Sequence, residues 1–301
     1  MRPFVKLSAV LPIGLVLLGA AVAESVEVSV PLTIVRNEAR GSFELPGGIG
    51  ADVTITFEDV VGLHPKSINL FVNVIDPLDP DLLDLLGPLV PSLPSSPGGL
   101  LGGGVVNLVR QVTIPVSFPV ILRIEASESS QLSFEGIASV SIHTHNLELD
   151  RLIPFALYKS HDGQPFRDVM TTEGRGSYRA GGGGGDFSEF LIVIDRRPID
   201  TVIQGKFAAL DAVIAEHASV MPPAIADSLE AQAAAIRSLY DTGALRQALV
   251  QLRAFSRYVS QHSGEEIPNV WRANCGSVNA AGRLRGAADT LRFSIDRKLG
   301  Q

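Results

Sequence analysis

Two histidines set two residues apart, His143 and His145 in the run SIHTHNL, come nearest to a metal-binding pattern in this chain. Successive side chains on a strand alternate faces, so both rings would share one side, as a metal pair requires. No HExxH, CxxC or other ligand cluster joins them, so the expected arrangement is two solvent-facing histidines opposite Val140 and Ile142. Ser160, His161 and Asp162 have the residue types of a hydrolytic triad. Consecutive side chains point in different directions and cannot form a relay, so with Gly163 they read as a hairpin turn. No G-x-S-x-G elbow is present to hold a nucleophile. The run Gly181 to Gly185 leads into Asp186 without GK[ST], which excludes a phosphate-binding P-loop and leaves a flexible hairpin connection.

Asp76, Asp79, Asp81 and Asp84 supply hard oxygen ligands of the kind that suits calcium. EF-hand spacing and its glycine are missing, and Pro77 and Pro80 restrict convergence. Ordinary loop carboxylates are the expected reading, with calcium the alternative. Glu265, Glu266 and Trp271 fall between two helical segments, where Trp271 is expected to plug a helical core, a ligand platform being the alternative. No catalytic, cofactor-binding or metal residue is therefore assigned.

The elements that would position these residues change character near residue 196. Up to about Asp195 the apolar pattern has period two, in stretches at 25–35, 41–45, 53–57, 68–75, 120–125, 132–143, 153–159 and 187–194. Gly, Pro or Asp punctuates the gaps, which predicts an antiparallel, immunoglobulin-like β-sandwich. Beyond Arg196 the period becomes helical at 201–217, 224–240, 244–261 and 278–298, which predicts a four-helix up-and-down bundle. The stretch 76–104 holds too much Pro and Gly for either pattern. It is expected to lie on the sandwich as a loop, with one helical turn at Pro80–Leu86; a contact surface is the alternative.

Charge divides at the same place. Residues 24–195 hold 10 Lys or Arg against 22 Asp or Glu, whereas residues 196–301 hold 13 against 10. The predicted domains are thus a sandwich over 24–197 and a helical domain over 198–301, each expected to fold by itself. A formal charge of -7 and 6% aromatic residues argue against a nucleic-acid partner, which needs clustered Lys and Arg.

At the start, Arg2 and Lys6 precede an apolar stretch and then Ala21-Val22-Ala23, the order of a secretory signal peptide cleaved after Ala23, with an uncleaved anchor over Leu7 to Ala23 the alternative. No later segment is apolar enough to span a membrane, so none is expected in the mature chain. Cys275 is the one cysteine and is expected to remain a buried thiol.

The segment around Asp162-Gly163, Phe166, Asp168, Thr171 and Phe187-Ser188-Glu189-Phe190 resembles the last hairpins of β-sandwich modules in exported bacterial proteins. The stretch that begins GALRQALVQLRAFSRYVSQH and runs on to Phe293 is similar to FIMAH-type helical domains of secreted bacterial proteins. The resemblance implies architecture and export and transfers no catalytic residue. The expected function is a noncatalytic exported protein, secreted or periplasmic, with a structural or interaction role at the bacterial cell envelope or outside the cell, its partner a protein or envelope component. A ligand site between sandwich and bundle is the alternative, and an uncharacterised hydrolase ranks below both.

Overall fold

The structure, a computed structural model, describes residues 27–91, 108–127, 129–150, 153–161, 163–174, 176–274 and 277–300. Residues 1–26, on which the signal-peptide expectation falls, the segment 92–107, Asp162 and Cys275 lie outside the described residues.

Strands occupy the N-terminal part and long helices the C-terminal part. One antiparallel sheet runs in the order β1 (Glu27–Val30), β5 (Ile68–Val74), β9 (Val120–Ala126), β15 (Glu189–Asp195), β11 (Phe155–Ser160) and β12 (Arg167–Asp168), with β8 (Val112–Thr113) also on β15. The second runs β13 (Met170–Gly174), β14 (Ser177–Gly184), β10 (Ser133–Glu148), β4 (Ile49–Val61), β3 (Glu38–Leu45) and β2 (Thr33–Val35). Period two decides which side chains are buried: along β4, Ala51, Val53, Ile55 and Phe57 are buried while Asp52 is exposed. Both sheets contribute to one apolar cluster.

The stretch Ser25 to Val35, one strand by its period, is broken in the fold. Pro31 and Leu32 separate β1 from β2, which belong to different sheets, because proline has no N–H for a ladder. The expected helical turn forms α1 (Pro80–Leu86), capped by Asp79, and it buries Leu82 and Leu86 in the sheet cluster. Beyond it, β6 (Leu89–Pro91) pairs with β7 (Leu108–Arg110).

The glycine run is a strand, not a flexible connection. Its residues pair through β14 with β10, Gly181 opposite Ser141 and Gly184 opposite Ala138. The missing side chains are what the position demands: a Cβ on Gly182 would meet the Val169 carbonyl oxygen at 2.3 Å, and one on Gly183 the Ala138 oxygen at 2.4 Å.

Four long helices follow, α2 (Ile199–His217), α3 (Pro223–Asp241), α4 (Leu245–His262) and α5 (Ala280–Leu299), with a 3-10 turn Ala218–Val220 after α2. Their buried stripes are those the periodicity predicts, including Phe255 on α4 and Leu291 on α5. Helices α2 and α4 each pack against α3 and α5. Among the described residues no helix is long and apolar enough to cross a membrane.

The helical part also reaches back to the sheets. Helix α5 packs against β10, β13 and β14, and Gly282 lets it approach so closely that a Cβ there would sit 2.2 Å from the Gly136 oxygen. Asn279 secures the contact, accepting from the Gly282 N–H at 2.8 Å and donating to the Gly136 oxygen at 2.7 Å. Strand β16 (Val270–Arg272) joins β10 with Trp271 opposite Phe134. Trp271 therefore does not plug the helical core. Its ring stacks on Phe134 at 5.3 Å and meets the edge of Phe187 at 4.8 Å, because the chain between α4 and α5 returns to the sheet.

Candidate functional site

Where β11, β12 and the end of β15 meet α2 and α5, five ionisable or phenolic side chains come together. Asp195 ends β15, and the chain turns at once into α2. That turn is held by the Arg197 N–H, which donates to Asp195 Oδ1 at 3.0 Å. The Arg197 guanidinium folds back on the same carboxylate, Nε to Oδ1 at 2.9 Å and Nη2 to Oδ2 at 2.7 Å, a two-pronged contact that fixes orientation as well as charge. From β11, Tyr158 donates its hydroxyl hydrogen to Asp195 Oδ2 at 2.8 Å and accepts from Arg197. Burial pushes the Tyr158 phenol far above its ordinary value, so it stays a donor. Burial alone would lower Arg197, but Asp195 and Tyr158 hold it charged.

Further along α2, Lys206 points into the same seam. Its Nζ lies 3.0 Å from Asp168 Oδ2 and donates to the Thr290 carbonyl on α5 at 3.2 Å. The other Asp168 oxygen accepts the Met170 N–H at 2.8 Å, and Thr290 Oγ1 donates to the Asp168 carbonyl at 3.3 Å. Only 4% of Lys206 is exposed. Burial lowers its pKa and Asp168 opposes that shift.

Beside this network lies a cavity of about 330 Å³, walled by Leu86, Phe166, Val202 and Ala209 with Arg167 and Lys206 among its lining residues. Arg167 is exposed, and among the described residues it has no ion pair or hydrogen bond through its side chain. The arrangement can hold a small anion against an apolar wall. Asp168, the carboxylate among the described lining residues, is already paired with Lys206.

The residues singled out by spacing are placed differently. His143 and His145 do share a face, with ring centroids 6.1 Å apart, opposite the buried Val140 and Ile142; His145 is exposed and His143 half-buried, and both lie beside carboxylates. His145 Nδ1 is 2.6 Å from Glu44 Oε1 and its Nε2 is 3.3 Å from Asp52 Oδ2. His143 Nδ1 is 3.6 Å from the same Asp52 oxygen. The Glu44 hydrogen bond raises the His145 pKa, and a hydrogen bond from Ser42 lowers that of Asp52. Among the described residues no group of three or more His, Cys, Asp or Glu is arranged to hold a metal.

Ser160 is buried and donates to the Gln164 carbonyl, while His161 Nδ1 lies 3.0 Å from the Phe187 carbonyl oxygen. The loop aspartates act locally: Asp76 accepts from Leu78, Asp79 caps α1 and Asp84 pairs with Arg110 at 2.7 Å.

Sequence reasoning missed the seam and a second buried cluster. There Lys159 pairs with Asp186, and Arg283 reaches Asp186 at 3.9 Å and Glu216 at 2.6 Å. Burial would raise the Asp186 pKa, but Lys159 more than offsets it and the carboxyl stays low. A usable signal existed for Lys206. It falls on the apolar stripe between Ile203 and Phe207, where a charge demands a buried partner.

A family model described as a family of unknown function (DUF6689) matches residues 104–298. No curated protein and no solved structure matches.

Proposed function

The chain belongs to the DUF6689 family of unknown function, and from its site geometry we propose a noncatalytic exported protein with a structural or interaction role at the bacterial envelope. In this reading the signal peptide is removed after Ala23, the β part is an immunoglobulin-like sandwich, and the helical part is a FIMAH-like four-helix up-and-down bundle. One observation carries the noncatalytic part: buried charges in the seam are matched with each other, Lys206 with Asp168 and Arg197 with Asp195. A general base or nucleophile needs an open lone pair aimed at a substrate position, and here those lone pairs are occupied. The same contacts tie α2 and α5 to the β12–β13 corner, as a rigid two-part module requires.

The test is turnover. Ester, glycoside and peptide substrates are expected to remain unchanged in the presence of the protein. Turnover that Lys206→Met or Asp168→Asn abolishes in still-folded protein would overturn the proposal.

The cavity favours a second reading, a ligand-binding protein that takes a small anion with an apolar tail. Medium-chain carboxylates should then raise the melting temperature, and Arg167→Ala should remove that rise.

A further inference from the structure

Helix α4 carries an arginine stripe that no described residue satisfies. Arg246, Arg253 and Arg257 stand at spacings of seven and four, which on an α-helix superimposes them within a narrow angular band. All three are exposed. Among the described residues none makes an ion pair or a side-chain hydrogen bond. Elsewhere arginines do find carboxylates, as Arg237 finds Asp211, Arg283 finds Glu216 and Arg285 finds Glu58. Helix α4 itself has no acidic residue. In a chain with 32 Asp or Glu against 25 Lys or Arg, three unmatched guanidiniums in one line are a concentrated positive patch. The line is about 16 Å long at 1.5 Å per residue.

The neighbours on the stripe narrow the partner. Gln247, Gln251, Ser260 and Gln261 are exposed beside the arginines, and Val250, at 57% exposure, is the large apolar residue among them. A membrane-surface helix presents Trp, Phe or Leu in quantity to the acyl region, and a protein interface needs an apolar centre. One valine supplies neither. A nucleic-acid platform stacks bases on several exposed aromatic rings; the one aromatic on this side of the helix, Tyr258, is half-buried against the helical core with its ring on His262 at 4.3 Å. What the stripe offers is planar forks for carboxylates and amide or hydroxyl groups for sugar hydroxyls.

We propose that the exposed face of α4, centred on Arg246, Arg253 and Arg257, is a docking surface for a linear acidic polysaccharide of the uronate class. The chain lies along the helix, its carboxylates on the guanidiniums and its hydroxyls on the flanking Gln and Ser side chains. This inference names a partner chemistry for the interaction role proposed above and rests on that reading. The two fail separately, since turnover tests the one and retention on a polyanion tests the other.

The experiment measures retention and affinity of the whole protein on immobilised polygalacturonate, with dextran, vesicles containing phosphatidylglycerol and a DNA duplex as parallel probes. The wild type should bind polygalacturonate with an affinity that falls as salt is raised, and should ignore dextran. The triple change Arg246→Gln, Arg253→Gln, Arg257→Gln should weaken binding by about tenfold or more. The charge-matched control Arg36→Gln, Lys66→Gln, Arg179→Gln should bind as wild type, and both variants should melt as wild type. Equal losses in the two variants would show a general charge effect and overturn the proposal. Binding to vesicles or DNA in preference to polygalacturonate would overturn the choice of partner, and absence of polygalacturonate binding by the wild type would overturn the site.

Discussion

Lys206 and Asp168 face each other from distant points in the sequence, and each is expensive without the other. An ammonium with 4% exposure must be neutralised or paired. Asp168→Asn keeps an oxygen for the Met170 N–H but leaves the lysine charge unmatched, so it should cost about 3 to 5 kcal/mol, as should Lys206→Met. The double variant should lose much less than the two losses added together, and denaturant titration of the four proteins checks that coupling. At the histidine pair the prediction concerns pH. The His145 pKa is raised by Glu44, so its stabilising contribution is full below the unfolded value near 6.5 and is lost as pH rises through the folded value. Asp186 behaves oppositely: its depressed value gives stability above the ordinary carboxylate range that is lost on acidification. An NMR titration should show His145 protonated at higher pH than a free histidine, and Glu44→Gln should bring it down. Of these residues the sequence exposed the pair at His143 and His145, because spacing on a strand fixes the shared face. It could not show Glu44 and Asp52, which strand pairing brings alongside.

At the scale of elements, side-chain period revealed the helices, since Leu245, Leu249, Leu252, Phe255 and Val259 mark one face of α4 without any help from tertiary contact. Phe255→Ala and Leu291→Ala should each cost about 2 to 5 kcal/mol by thermal or chemical unfolding, both side chains being fully buried. The same method failed on β14, because a run of glycines has no side chains to alternate. Its strand character comes from pairing with β10 and from the room it leaves for α5. Two helical glycines give a sharp comparison. A methyl added at Gly205 on α2 would have nothing within 4 Å, so Gly205→Ala should stabilise by up to about 1 kcal/mol. Gly282→Ala on α5 would drive a methyl to 2.2 Å from the Gly136 oxygen and should destabilise by about 1 to 3 kcal/mol despite the better helix propensity. Equal melting shifts for the two would show that α5 does not sit tightly on the sheet.

Across the whole molecule, composition and charge mark the change from strand to helix at Arg196–Pro198, and the structure places the change there too, between β15 and α2. What the sequence conceals is the return of the helical part to the sheets. Strand β16 is three residues long, too short to show a period, and the α5 contact is made by Gly282 and Gly286, which leave no mark on an apolar pattern. With α5, β16 and the Lys206–Asp168 pair all crossing the seam, the two halves should unfold together although each has its own apolar cluster. Scanning calorimetry of the chain from Glu24 onward tests this most directly. One transition is expected, its calorimetric and van't Hoff enthalpies in agreement, shifted as a whole by Lys206→Met. Two resolved transitions, with Lys206→Met moving one and leaving the other in place, would contradict a rigid two-part module.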